Sequence, residues 1–421
     1  METTRMKAFI AASIAVLLST AAYAAEPVGS DKFNTEPGFD LSKLTASNFY
    51  DTIVPLAKKE GSVTFFDFTD SFGPLFSDHL IPEFESKYGI HVDYVRGNGE
   101  AAIQQLIAAH NSNAKSPADA YFISSGNLGS VLGAGVVANI PLNAALPNGT
   151  ALNTAIATNT GGYQHGGAFV PYHRNQTSIV YDTRTISADK VPTDLDALLS
   201  WAKANPGKFI VTSPDGGGSG SGFMQSIAYD KVTGDSCRAT LTNFSITADQ
   251  AKQFAASDCM KPAWDFYKDV LKVSEVAKGN SDTLSLLANG AGSIGTAWED
   301  MTYDFIGRGL LPPTTRQEIL TSGEVGGGDG IFLPVGGEHP AAGLLLIDFL
   351  ISHDAQMEKL LINGSRSART DIDPAKSFTP AQVARLIPTD QFASRALQSM
   401  PSTLNTALVG YAMANLLSAN N

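Results

Sequence analysis

The chain has 421 residues, 43% hydrophobic and 17% charged, a globular composition whose length suits two or three domains. A formal net charge of −12 with no block of like charge makes nucleic acid an unsuitable partner. Seven scattered His and two Cys offer no metal-ligand spacing, and no motif calls for a metal or cofactor.

Residues 1–24 read as a secretory leader. Arg5 and Lys7 form a basic start, 8–20 is apolar, and Ala22-Tyr23-Ala24 is a small-x-small cleavage site. The apolar run is shorter than the ~20 residues a membrane span needs. Cleavage would leave Ala25, not a Cys that could carry lipid, so the expected product is free in the periplasm with a net charge of −13. In that oxidising compartment Cys237 and Cys259 read as one disulfide.

Residues 25–60 form a polar extension that turns amphipathic near Phe49 and packs on the first lobe. From Gly61 the chain alternates strand, helix, strand, helix, strand: 62–68, a helix to Tyr88, 90–95, 100–110 and 118–123. That order predicts a parallel-rich α/β sheet with right-handed crossovers. Loops beyond the carboxyl ends of such strands line ligand crevices, which nominates Thr69, Asp70, Ser71, Asn98, Ser124 and Ser125. The same residue types also favour plain caps and turns.

Val170-Pro-Tyr172-His-Arg174-Asn175-Gln-Thr then reads as a first passage between lobes, with Tyr172, Arg174 and Asn175 near the cleft floor. A helix near 195–204 and a strand at 209–211 lead into Ser213-Pro-Asp215-Gly-Gly-Gly-Ser219-Gly-Ser221-Gly-Phe223. A glycine-rich turn entering a helix presents free backbone N–H groups to an anionic or hydroxyl-rich ligand group, nominating Ser213, Asp215, Ser219 and Ser221. No Lys-Ser or Lys-Thr follows, so it is not a nucleotide loop. Gly290-Ala-Gly-Ser-Ile-Gly295 fits a dinucleotide pattern but runs from helix into strand, the reverse of what that fold requires. Its strand ends at Trp298-Glu299-Asp300, where a ring beside carboxylates suits a cationic or hydroxylated ligand; Trp298 and Glu299 are nominated. Asp329 opens the last passage. A strand at 331–335 and one helix from Pro340 to Gly364, apolar on one face, follow.

In that last stretch Leu346-Ile-Asp-Phe-Leu-Ile-Ser-His-Asp-Ala-Gln356, entered through His339-Pro340, resembles a segment of the extracellular solute-binding proteins of ABC importers. The Ala-Asp-Ala-Tyr-Phe at 118–122 and the Val-Pro-Tyr passage resemble the same family. The resemblance covers most of the chain from Gly61 and implies a two-lobed periplasmic binding protein fold of type II. Each lobe would hold a parallel-rich sheet flanked by helices: 61–172 with 292–335, and 173–291 with 336–421. It further implies a monomer that clamps a small-molecule solute between the lobes and docks on an inner-membrane permease with its ATPase, with no catalysis. Asn175-Gln-Thr-Ser-Ile-Val-Tyr181 and Trp201-Ala-Lys-Ala-Asn-Pro-Gly-Lys-Phe209 look like a thiamine or polyamine-like import branch. Ferric-binding relatives use adjacent tyrosines, and this chain has no Tyr-Tyr pair. The rival readings are a secreted hydrolase, for which no nucleophile elbow or metal helix is present, and a ligand sensor for a chemoreceptor, which shares the fold.

Overall fold

The computed structural model describes residues 41–418. The expected leader, its expected cleavage site and the beginning of the expected extension lie outside the described residues.

Beside a short hairpin at 159–164, twelve strands run through the two lobes of the described chain. In chain order they are β1 (Ser62–Asp67), β2 (His91–Arg96), β3 (Ala120–Ile123), β4 (Phe169–His173), β5 (Thr177–Asp182), β6 (Phe209–Thr212), β7 (Glu275–Ala277), β8 (Ile294–Trp298), β9 (Thr315–Glu318), β10 (Glu324–Val325), β11 (Asp329–Phe332) and β12 (Ala396–Leu397). The first lobe's sheet has the order β2-β1-β3-β11-β4, and the second β9-β5-β8-β6-β7. Each has a parallel core with antiparallel additions: β1 runs parallel to β2 and β3, while β11 is antiparallel to β3 and β4. In the second sheet β6 is parallel to β7 and β8, and β5 is antiparallel to β8 and β9.

The apolar runs follow from burial on both sheet faces. In the first lobe Phe65, Phe122 and Ile331 face one core and Phe66, Tyr121 and Phe332 face another. The helices that matter to the site are α1 (Phe49–Glu60), α2 (Gly99–Asn111), α3 (Leu195–Ala204), α4 (Gly218–Lys231), α5 (Lys261–Val273), α6 (Asn280–Ala288), α7 (Glu299–Gly307), α8 (Pro340–Leu350), α9 (His353–Asn363) and α10 (Ser402–Ala412).

The division of the chain differs from the expected one in two places. Residues 292–335 do not return as a block to the first lobe. β8 pairs with β5 and β6, burying Ile294 and Ala297 in the second lobe, and only from Asp329 does the chain rejoin the first sheet. Residues 336–421 likewise divide. α8 packs against α1 in the first lobe's core, whereas Leu404 and Leu408 of α10 belong to the second.

The long helix expected from Pro340 to Gly364 is two helices. Ser352 adopts extended backbone (φ −62°, ψ 159°) and its hydroxyl accepts from Ala355 N–H, capping α9. α8 is buried on every side rather than on one face. Gly364 ends α9 in the left-handed conformation at φ 65°, the expected terminator.

Three segments therefore cross between the lobes: 174–176, 326–328 and 364–401. They are hydrogen-bonded to one another. Arg174 N–H donates to Arg366 O at 3.0 Å, Gly327 N–H to Asn175 O at 2.9 Å and Gly326 N–H to Leu397 O at 3.1 Å. In the second lobe Cys237 and Cys259 form a disulfide.

Candidate functional site

The crossing strands gather the charged groups. β4 ends at His173 and β11 begins at Asp329, and antiparallel pairing sets these two residues side by side, with an irregularity in register just after Asp329. From the second lobe, β8 runs into α7, whose second residue is Asp300. A carboxylate from each lobe thus meets one imidazole. His173 Nε2 lies 3.7 Å from Asp300 Oδ2 and 3.9 Å from Asp329 Oδ2. The His173 ring is held from behind by Phe72, at 5.1 Å between centroids, and by Ser365. With Nε2–H turned to the carboxylates, Nδ1 accepts from the Ser365 hydroxyl at 2.6 Å.

Burial decides the electrostatics here. It pushes Asp300 up to about 7, reinforced by the Glu299 and Asp329 charges and opposed by the N–H groups of Met301 and of Asp300 itself. Burial likewise pushes Asp329 up to about 6, against the Ser125 N–H and the Ser124 hydroxyl. His173 is driven down to about 3 by burial and by the nearby Lys359 ammonium, so it is neutral in the physiological range. Lys359 is itself fully buried and held well below its usual range by desolvation. Its amine donates to the carbonyls of Tyr172 and Arg366 and rides over the Tyr172 ring at 4.6 Å. Asp300 and Asp329 keep side-chain exposures of 18% and 15%, so both remain open to a ligand.

Around this centre the nominated residues separate. Asp329, Ser124 and Ser125 belong to it, with Ser125 N–H donating to Asp329 Oδ1 at 2.9 Å. Trp298 is half-buried and its indole lies directly on the start of α4. A Cβ at Gly218 would come within 1.7 Å of the ring. Thr69, Asp70, Ser71 and Asn98 do not converge on it. Thr69 caps the turn after β1 and accepts from Ser71 N–H, while Asn98 caps α2. Asp70 is 95% exposed and faces Arg96, and the Ser71 carbonyl accepts from Asn363.

Other nominated side chains are buried and engaged. Tyr172 is fully enclosed among Phe72, Phe76 and Phe122, because its strand position faces the first lobe's core rather than the cleft. Glu299 is 1% exposed and forms a bidentate pair with Arg366, Nη2 to Oε1 at 2.8 Å, while also accepting from Ile387 N–H at 2.7 Å. These partners join the start of α7 to the 364–401 crossing. Arg174 and Asn175 are buried in the crossing itself.

The glycine-rich loop also has a packing explanation. Gly216 touches Lys278 O, Gly220 the Ser213 carbonyl and Gly222 the Thr177 hydroxyl, so side chains there would collide. Ser219 is wholly buried, donating to Asn280 Oδ1 at 2.6 Å, and Ser221 turns back to Gly218 O. The Ser213 hydroxyl donates to Asp215 and faces Met413, not the carboxylate pair.

Sequence reasoning passed over His173 and Lys359, and it read Asp300 as a carboxylate suited to a cation while nominating its neighbour Glu299. Asp300 was legible, since adjacent residues at a helix start point about 100° apart and only one of the Glu299-Asp300 pair could turn inward. His173 stood next to a nominated passage. Nothing local marks Lys359, which reads as one more surface lysine on α9.

The chain matches the profile of the bacterial extracellular solute-binding proteins over residues 79–385. No curated protein sequence is similar enough to match. Solved structures share the fold at low identity. A candidate extracellular solute-binding protein from Bordetella parapertussis is 13% identical with a TM-score of 0.66, covering 85% of this chain and 99% of its own. An ABC transporter protein from Clostridium perfringens is 14% identical with a TM-score of 0.61, covering 86% and 99%. Iron-bound HitA from Pseudomonas aeruginosa is 15% identical with a TM-score of 0.53, also covering 86% and 99%. With the family matched over most of the chain and two lobes meeting at a partly open charged centre, the chain belongs to the bacterial extracellular solute-binding proteins, the non-enzymatic solute-binding components of ABC transporters.

Proposed function

We propose that this protein captures a small organic cation between its lobes, in the periplasm, and delivers it as a monomer to an inner-membrane permease and its ATPase. One observation carries the reading: a carboxylate from each lobe, Asp300 and Asp329, approaches the neutral His173 imidazole. A ligand ammonium seated there would satisfy both carboxylates at once, and charge-assisted hydrogen bonds are the strongest of their kind. It would favour the closed arrangement over an open one, because only closure brings the two lobes' charges to the same group. The Trp298 indole supplies an aromatic wall for the same cation. Amine-bearing solutes, including thiamine and polyamine-like compounds, fit this chemistry. HitA is iron-bound, so Fe³⁺ stands beside the organic cations in the test below.

The test is a thermal-shift and calorimetric screen of ligand-stripped protein with diamines, thiamine, amino acids, sugars and Fe³⁺. A cationic organic solute should bind saturably, and Asp300→Asn or Asp329→Asn should each weaken it by roughly 10- to 100-fold. Binding should also weaken as pH falls through about 7 and then about 6, because both carboxylates must lose their protons to accept the cation. Tight binding of a neutral sugar that is indifferent to both substitutions would sink the reading.

A further inference from the structure

We propose that the short hairpin at 159–164 is a latch between the lobes, in which Gly162 and Tyr163 of the first lobe hold Ser402 of the second and keep the lobes together. The sequence dictates a tight turn. Asn159 pairs with Gln164 and Thr160 with Tyr163, so Gly161 and Gly162 alone make the bend. Their φ values of 56° and 83° are both left-handed, as a type I′ hairpin turn requires at both positions.

The hairpin is anchored to the first lobe. Gly167 N–H and Phe169 N–H donate to His165 Nδ1, which leaves Nε2–H to donate to Thr160 Oγ1 at 3.1 Å. The Tyr163 ring packs on the first lobe's core and lies on the helix Leu128–Gly133, where a Cβ at Gly129 would come within 2.7 Å of it. A ring held in this way presents its hydroxyl with little left to order. The partner is anchored to the second lobe. Met400 is buried in that lobe's core, its N–H donates to Gln225 Oε1 on α4, and Ser402 opens α10.

Two hydrogen bonds join these anchored pieces. Ser402 N–H donates to Gly162 O at 2.9 Å, and the Ser402 hydroxyl donates to the Tyr163 hydroxyl at 2.8 Å. Beyond them the surfaces part, leaving a groove of about 490 Å³ with Tyr163 on one side and Ala248, Lys252, Ala407 and Tyr411 of the second lobe on the other. The contact is small and polar, so it releases at a cost of two modest bonds rather than of a packed apolar interface. The same hairpin backs the solute centre: a Cβ at Gly161 would collide with Ser125 Cβ, and Ser125 N–H donates to Asp329. On the reading that solute is clamped between the lobes, a latch that holds Asp300 and Asp329 at one imidazole in advance spares the solute part of the cost of closure.

The experiment uses the intact protein without any solute, so its outcome is independent of what the cargo is. Gln105→Cys on α2 and Lys272→Cys on α5, both exposed, carry nitroxide labels whose separation is read by pulsed electron resonance; the two native cysteines are already joined in the disulfide. Ser402→Pro removes both donors at once, at a first helical position where Pro is well tolerated. Tyr163→Phe removes one acceptor and keeps the ring on Gly129, so its readout stands even if Ser402→Pro fails to fold. Each should move part of the population to longer separations, raising the ratio of open to closed lobes by about 3- to 10-fold for each bond lost. Ser402→Thr, which keeps both donors, should match the parent. Distributions of folded Tyr163→Phe that superimpose on the parent's would overturn the latch and make the contact a fixed part of the hinge. A parent already spread over the longer separations would overturn it equally.

Discussion

Asp300 carries a cost that the solute-free protein bears alone. Its carboxyl titrates near 3.8 when exposed and at about 7 in the fold. Between those values the unfolded chain has lost a proton that the folded protein still holds. Stability contributed by this group is therefore complete below about pH 4 and is lost as pH rises to about 7. The shift bounds the effect at about 4 kcal/mol. Asp300→Asn should accordingly flatten the decline in thermal midpoint between pH 4 and 7 and leave the variant more stable than the parent at pH 8. The same variant should bind the cationic solute poorly. A variant that loses stability at pH 8 would mean that Asp300 is a structural carboxylate. The sequence singled out this neighbourhood, through Trp298-Glu299-Asp300, and nominated Glu299, which the fold buries against Arg366. What assigns the roles is Arg366, 67 positions away, which claims Glu299 and leaves Asp300 facing the cleft.

At the scale of elements, β1, β2, β3, β6, β8 and β11 were legible because each needs only a short apolar or β-branched run, whereas Thr315-Arg-Gln-Glu318 of β9 offers none. The helix start at Pro340 and the stop at Gly364 were legible from backbone chemistry. The break at Ser352 was not, because a capping serine inside a continuous apolar pattern is visible only once α8 is known to be buried all round. The glycine-rich loop teaches the opposite lesson. Its composition suggested a ligand cradle, yet most of its glycines are explained by close approach to neighbouring chain. Gly218 is the sharpest case, with the Trp298 ring occupying the position of a Cβ. Gly218→Ala should force the indole off the start of α4, at a cost of about 1–3 kcal/mol typical of overpacking. On the proposal that Trp298 walls the solute site, the same change should weaken solute binding. Stability that falls while solute affinity stays at the parental value would remove Trp298 from the site.

At the scale of the molecule, the two-lobed plan followed from the order of strands and helices together with the family resemblance, while the route between lobes did not. Whether β8 joins the first sheet or the second depends on pairing partners far away in sequence, β6 more than eighty residues back and β5 more than a hundred. The third crossing, 364–401, continues in short helices, Pro380–Val383 and Thr389–Arg395, too brief to give a strong periodic signal. Its weight in the fold comes from Arg366, which links this crossing to the second lobe's α7 through Glu299. Both groups are almost fully buried, so removing one strands the other without a partner. Arg366→Met should cost about 3–5 kcal/mol, whereas the double change Glu299→Leu with Arg366→Met should recover much of that loss, as buried pairs replaced by apolar residues do. Solute affinity discriminates the roles. If Glu299 only braces the hinge, the double variant should bind cation within a few-fold of the parent, while Asp300→Asn does not. A double variant that folds stably but loses the solute as completely as Asp300→Asn would return Glu299 to the binding site.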